Sequence, residues 1–385
     1  MHKGILALSA SALLASGASF AETAQLHLFT WMDYVDPELV ARFEQENDCK
    51  VVIDIFDSNE AMLAKLQAGA TGYDLLFPSS YMIDKLARDG KLEKIDHDRI
   101  PNLANLDPEY VRCALDPDMT WSVPYMVTYT GIAYRMDRVE PQPTNSWAIF
   151  ETRPDLIGKM TLLDDMRETL GAALLYNGHS LNTTSEAELA EARDTVIRWK
   201  RSIAKFENEQ YKTGIASGEF WLVHGYSGDI GQVQSDADGG EFVGFFLPKE
   251  GFSLSCDEMA IPADAPNKDL AYAFINFMHD PEVAAKNMLY TMYWCPNSAA
   301  KEILLRDNHD FATNPTIFPS AEDLARGEVI DDLGENLPLY TKVWNEVKAA
   351  EDSGSGSGSK SWLWILIAVV VVGGIVLFSK RSKPV

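Results

Sequence analysis

The first hundred residues alternate between strand-like and helical hydrophobic patterns, and this limits the fold more than any other feature. Leu26 to Thr30 is a short apolar run of strand length. Asp36-Pro37 then supplies an N-cap and a first-turn proline for a helix through Glu46. Lys50 to Phe56, rich in Val and Ile, reads as a second strand, and Ser58 caps a helix whose Met62, Leu63 and Leu66 share a face. Tyr73 to Phe77 is a third strand, and Tyr81 to Arg88 a third helix closed by Gly90. Strands that each return through a helix pair in parallel and must be covered by those helices, so the order βαβαβα predicts an α/β fold.

A second α/β block follows. Tyr125 to Tyr134, Lys159 to Leu163, Phe220 to Gly225, Glu241 to Leu247 and a short stretch from Met259 to Ile261 are strand-like. Glu168 to Tyr176, Ser185 to Ile203, Lys268 to Met278 and Pro281 to Tyr290 carry helical periodicity, the last capped by Asp280. A chain of 385 residues has room for two such lobes, with a ligand cleft expected between them. The expected division is 22–127 with 258–300 for lobe 1, and 128–257 with 301–352 for lobe 2.

The two ends read differently. Residues 1–21 have the form of a signal peptide: Lys3, an apolar run from Ile5 to Leu14, and small residues at Ser19 and Ala21. No cysteine follows that run at the position a lipoprotein anchor needs. At the other end, 353–361 is a Ser/Gly linker and 362–378 is uncharged. That stretch would span roughly 25 Å as a helix, which predicts one C-terminal transmembrane segment. Lys380, Arg381 and Lys383 form a basic tail over 379–385 that favours the cytoplasmic side, so the large domain faces outward, as a signal peptide also requires. The expected location is the periplasmic space, anchored to the inner membrane. Linker, apolar segment and basic end also resemble sorting signals that are cut and exchanged for an envelope attachment.

Charge narrows the partners. Five of the 33 basic residues lie in the two end segments and none of the 57 acidic residues do, which leaves the region between them at −29. Nucleic acid and anionic membrane surfaces are disfavoured partners, whereas a small cation is attracted. Enzyme motifs are missing: there is no His-Glu-x-x-His, phosphate loop or dinucleotide fingerprint. Gly225-Tyr226-Ser227-Gly228-Asp229 falls short of a nucleophile elbow because Asp229 stands where glycine is required. The seven histidines are scattered. No catalytic role, metal or cofactor is expected.

What recurs is aromatic residues beside acids just after strands. Trp31, Asp33 and Tyr34 follow the first strand, and Ser79, Ser80 and Tyr81 follow the third. Asp164, Asp165 and Glu168 follow the Lys159 strand, Tyr226 and Asp229 follow the Phe220 strand, and Asp257 precedes Met259. The carboxyl ends of parallel strands face ligand crevices. Aromatic faces suit the methylenes and ammonium groups of an aliphatic cation, and carboxylates replace the ammonium's lost hydration. Asp165 and Glu168 are equally what a helix start favours.

At these residues the chain resembles the bacterial periplasmic spermidine/putrescine-binding proteins. The similarity runs from about Leu26 to Ala349 through Phe29-Thr30-Trp31-Met32-Asp33-Tyr34-Val35, Phe56-Asp57-Ser58-Asn59-Glu60, Tyr73-Asp74-Leu75 with Pro78-Ser79-Ser80, Leu163-Asp164-Asp165-Met166-Arg167-Glu168, Pro248-Lys249-Glu250-Gly251, and Asp257 through Pro262. The resemblance implies a two-lobed type II periplasmic-binding-protein fold and a role as a monomeric capture component for the permease subunits of an ABC importer. It implies that Trp31, Tyr34, Tyr81 and Tyr293 are aromatic walls, and Tyr226 stands where members usually have tryptophan. It also implies that Asp33, Asp165, Glu168 and Asp257 hold amines, that Asp229 matches an acid of putrescine-type members, and that Ser79 is a pocket hydroxyl.

Departures bear on the ligand. Ser255 stands where an aromatic is expected, Ile330 where spermidine-type members have an amide, and Met32 where Ser or Thr is usual. They tilt the expectation toward putrescine over spermidine. A membrane-tethered polyamine sensor without a transport role is the alternative function. Four cysteines, Cys49, Cys113, Cys256 and Cys295, allow three full pairings. Cys256 adjoins Asp257 and Cys295 lies two residues after Tyr293, which makes that pair the candidate disulfide beside the pocket.

Overall fold

The structure is a computed structural model that describes residues 23–107, 114–236 and 239–350. It divides into two compact units. Unit 1 is the chain up to Val127 with Cys256–Thr313, and unit 2 is Thr128–Ser255 with the chain from Asn314. The second and third crossings therefore fall at 255/256 and 313/314, against an expected 257/258 and 300/301. Asp257 thus belongs to unit 1. The expected signal peptide, linker, apolar segment and basic tail lie outside the described residues, as does Cys113. Among the described residues no helix is long and apolar enough to cross a membrane.

Unit 1 opens with β1 (Ala24–Thr30), α1 (Pro37–Asn47), β2 (Cys49–Ile55), α2 (Asn59–Gln67), β3 (Leu75–Leu76) and α3 (Ser80–Arg88). The strands form a parallel sheet in the order β2-β1-β3. The helix starts are chemically specified: the Asp36 carboxylate accepts from the Glu38 N–H and Pro37 occupies the first turn, while the Ser58 hydroxyl accepts from the Ala61 N–H. Asp48, in the left-handed region at φ 47°, turns the chain from α1 into β2.

β4 (Val123–Arg135) carries the chain into unit 2. There follow β5 (Met160–Leu162), α4 (Met166–Tyr176), α5 (Glu186–Lys200), β6 (Ile203–Phe206), α6 (Gln210–Ser217), β7 (Leu222–Tyr226), α7 (Ser227–Ser235), β8 (Val243–Phe246) and β9 (Phe252–Met259), on which the chain returns to unit 1. α8 (Lys268–Met278), α9 (Pro281–Thr291) and α10 (Ser298–Asp307) complete unit 1, and β10 (Gly327–Val329) and α11 (Leu337–Ala349) complete unit 2. The larger sheet runs β10-β9-β4-β7-β5-β6, with β8 also on β4. It is mixed: β4 is antiparallel to β7 and β8, whereas β5 is parallel to β6 and β7. α11 packs on α4 and α5, and its Tyr340, Val343 and Val347 join a core with Trp147, Phe150, Leu170 and Trp199.

The sequence reading has no counterpart for α6, α7, α10, α11 and β10, and three of the elements it does expect differ in the structure. The helix expected to reach Ile203 ends at Lys200, and Ile203–Phe206 is a strand paired with β5. A turn at Arg201-Ser202 separates the two, and sheet pairing decides the assignment of a short, partly buried run. The strand expected from Glu241 starts as a 3₁₀ turn at Gly240–Phe242. β9 begins at Phe252 rather than Met259; the serines at 253 and 255 mask its apolar pattern.

Candidate ligand-binding site

In unit 1 the sequence candidates gather around one carboxylate. Asp257, on β9, forms an antiparallel bridge with Ser79, which sits between β3 and α3. The Ser79 hydroxyl donates to Asp257 Oδ1 and the Tyr34 hydroxyl to Oδ2, both at 2.6 Å. Asn59 fixes Ser79 from the other side: its Nδ2 donates to Ser79 Oγ and its Oδ1 accepts from the Ser79 N–H, each at 3.0 Å. Tyr34 is held by edge contacts with Tyr125 and Tyr293, centroids 5.4 and 5.3 Å away. The Tyr125 hydroxyl donates to the Tyr34 carbonyl at 2.6 Å, and Asn287 Nδ2 donates to Tyr125 Oη at 2.7 Å.

Asp257 is 5% exposed. Burial pushes its carboxyl up to about 6, and the hydroxyls of Ser79 and Tyr34 only partly oppose that. Among the described residues, the groups that act on it are the two hydroxyls and no cation. Such a carboxylate carries a desolvation cost that an arriving ammonium would offset.

The remaining unit 1 candidates are placed less centrally. Trp31 packs on Phe56 at 4.3 Å, and its indole Nε1 is buried without a hydrogen-bond partner. Tyr81, in the first turn of α3, donates to Glu60 Oε1 over 3.4 Å. Asp33 is exposed and takes up the left-handed region at φ 54°, where it turns the chain after β1.

In unit 2, Asp165 is the N-cap of α4, accepting from the N–H groups of Arg167 at 2.8 Å and Glu168 at 3.0 Å. Glu168 lies in the first turn and its Oε2 accepts from Thr130 at 2.9 Å and from Ser253. Both acids are buried. Burial raises Asp165 against its backbone donors, and burial followed by the Asp165 charge raises Glu168 to about 8. The intervening Arg167 directs its guanidinium to the Asp331 carbonyl at 2.9 Å and Asn182 Oδ1 at 2.7 Å.

Tyr226 and Asp229 meet through a third residue. Tyr211 Oη accepts from the Tyr226 N–H at 3.3 Å and donates to Asp229 at 2.5 Å, and Lys212 Nζ lies 3.9 Å from Asp229. Asp229 therefore has a cation of its own. Ser255 is buried with an unpartnered hydroxyl, and Ile330 is buried with its N–H on the Leu254 carbonyl.

Residues 38–319 match the family model described as bacterial extracellular solute-binding protein. The chain belongs to this family. The chain is similar to the putrescine-binding periplasmic protein PotF of Escherichia coli, 33% identical, with 91% of this chain and 98% of that protein covered. The putrescine/cadaverine-binding protein of Pseudomonas aeruginosa is 34% identical, covering 89% and 98%. Among solved structures, the spermidine/putrescine ABC transporter substrate-binding protein PotD of Streptococcus pneumoniae superposes with a TM-score of 0.71 at 31% identity, covering 85% of this chain and 99% of that one. The architecture is the α/β periplasmic-binding-protein fold of the family.

One expectation is corrected. Cys49, Cys256 and Cys295 are buried cysteines that form no disulfide, so the expected bridge between Cys256 and Cys295 beside the pocket is not formed. Cys256 Sγ approaches the Asp257 carbonyl at 3.5 Å, and burial pushes the Cys295 thiol up to about 12. Closeness of their neighbours to one site does not fix where two sulfurs point. Sequence reasoning also passed over Asn59, Tyr125, Thr130, Ser253, Glu258 and Asn287. Only Glu258 carried a local signal, as a second acid directly after Asp257.

Proposed function

We propose that the chain is the extracytoplasmic capture component of an ABC importer and that it binds linear di- or polyamines, putrescine ahead of spermidine. The observation that carries this reading is Asp257: a buried carboxylate oriented by two neutral hydroxyls, with no cation among the described residues acting on it. Asp165 and Glu168 are two further buried carboxylates in unit 2, with the Arg167 charge acting on both, and the tyrosines around Tyr34 supply apolar faces suited to methylenes. The relatives named for putrescine, cadaverine and spermidine support the ligand class. Trp31, Asp33, Ser79, Tyr81, Tyr226, Asp229 and Tyr293 complete the proposed set, with Asp229 the weakest member because Lys212 already faces it. The protein acts as a monomer without catalysis. The apolar segment 362–378 holds it at the outer face of the inner membrane.

The test is calorimetric titration of residues 22–352 with putrescine, cadaverine, spermidine, amino acids and sugars. The expected result is binding of amines only, putrescine tightest. A tenfold preference for spermidine overturns the diamine order, and absence of amine binding overturns the ligand class.

A further inference from the structure

Two consecutive serines each serve one of two consecutive acids. Ser79 donates to Asp257, and Ser80 donates to Glu258 Oε1. The second pair lies in the interior, where Glu258 is fully buried and its Oε2 accepts from Ser122 at the start of β4. Ser80 Oγ in turn accepts from the Leu115 N–H at 2.6 Å, and the Glu258 N–H donates to the Pro78 carbonyl at 2.9 Å. The Glu258 side chain thus ties β9 to the first residue of α3 and to Ser122 just before β4, Ser80 extends the link to Leu115, and the Glu258 main chain holds Pro78. Alternation along β9 points Glu258 away from the face that carries Asp257, so it cannot share that residue's ligand.

We infer that Glu258 is a positioning residue for the amine site, holding the Ser79-Ser80 turn in register so that the Ser79 hydroxyl meets Asp257. The inference rests on the reading of Asp257 as an amine-binding carboxylate. Asn59 anchors Ser79 directly, and Glu258 anchors its neighbour. With both in place Ser79 has one position, and its hydroxyl proton is committed to Asp257. With Glu258 truncated, Ser80 and Ser122 lose their shared acceptor inside the core, and the turn keeps its main-chain ties to β9 and the Asn59 contact but loses its side-chain anchor at Ser80. Burial, with opposition from the Ser122 and Ser80 hydroxyls, pushes the Glu258 carboxyl up to about 7. A glutamine reproduces its protonated form: the amide oxygen can accept from Ser80, whose own acceptor role is taken by Leu115, and the amide nitrogen can donate to Ser122.

The experiment compares the mature protein with Glu258→Ala, Glu258→Gln and Ser122→Ala, each first shown by circular dichroism to be folded. Putrescine affinity is expected to fall about tenfold in Glu258→Ala, the loss of one hydrogen bond to a charged group. It should fall less in Ser122→Ala and return to within about threefold of the parent in Glu258→Gln. A merely structural Glu258 would lower the melting temperature of the alanine variant and leave its affinity at the parent value, which overturns the inference. A ligand-free crystal structure of Glu258→Ala, or of Ser122→Ala if the former does not fold, gives a second readout. The Ser79–Asp257 hydrogen bond is expected to be broken or lengthened, and an unchanged bond overturns the inference. If the parent fails to bind any amine, the proposed function falls and the crystal structure alone decides the role of Glu258.

Discussion

Tyr34 and Asp257, 223 positions apart in the chain, are joined by a 2.6 Å hydrogen bond buried in unit 1. The phenol is both a donor and a wall. Its hydroxyl orients the carboxylate while its ring rests edge-on against Tyr125 and Tyr293. An acid so placed is mainly neutral in the empty protein only below about pH 6, and an arriving ammonium favours its charged form.

Asp257→Asn should therefore separate affinity from stability. Putrescine binding is expected to weaken by about 3–5 kcal/mol, the usual loss when one partner of a buried charged pair is removed. The ligand-free variant should be at least as stable as the parent at pH 8, because the cost of burying a carboxylate is gone. Calorimetry and thermal melts measure the two quantities, and equal putrescine affinity in variant and parent would remove Asp257 from the site.

Tyr34→Phe keeps the ring and deletes the donor. Affinity is expected to fall by about 1.5–3 kcal/mol, since the lost bond is to a charged acceptor in the bound state. The effect should largely vanish in the Asp257→Asn background, so that the double variant is less impaired than the sum of the singles. Strict additivity would mean that Tyr34 acts as a wall alone.

The buried ionisable groups set the pH dependence of the empty protein. Asp257, Glu258 and Glu168 are raised to about 6, 7 and 8. Between the ordinary carboxyl range and those values the folded state holds protons that the unfolded state has released, so their contribution falls as pH rises. His224 and His279 are lowered to about 3 and 4 by burial, which removes stability as pH drops below 6.5. The melting temperature without ligand should therefore fall from pH 6.5 to pH 8 and also below pH 4.5. Saturating putrescine should flatten the alkaline limb, because a bound ammonium favours the ionised carboxylates. Melting temperatures that rise steadily from pH 6.5 to 8 would contradict the assignment.

Fractionation tests the tether. Intact protein is expected in the membrane fraction, and a stop codon at Ser353 should release it to the soluble fraction. A mature chain trimmed near its C-terminus would instead identify a processed sorting signal.

The helices and strands of the first hundred residues were legible because their signals are local. Asp36-Pro37 and Ser58 act over two or three residues, and each caps the helix it was expected to cap. Asp165 shows a limit of such reading: it is a helix cap, as its position suggested, and that role does not exclude or establish a ligand role. β6 and the first half of β9 were missed because pairing, rather than periodicity, makes them strands. The partners of Asp257 are distant in sequence, and Asn59 or Tyr125 looked no different from any other core-flanking residue. Whether Cys256 and Cys295 pair likewise depends on side-chain direction, which neighbouring residues do not specify.

Unit 1 is built from two stretches of chain separated by most of unit 2, and this imposes an order of events on a protein made from its N-terminus. Leu76 on β3 exchanges both of its main-chain hydrogen bonds with Ala260, so that strand keeps a bare edge until Ala260 is available. A nascent chain that has delivered α1, α2 and α3 must wait through the whole middle segment before it can close its own first sheet. During that interval the open edge is a target for wrong pairing and for chaperones. Truncated products that stop before Cys256 should accordingly behave as aggregation-prone fragments, whereas a circular permutant that starts at Asn314 would still leave unit 1 waiting on unit 2.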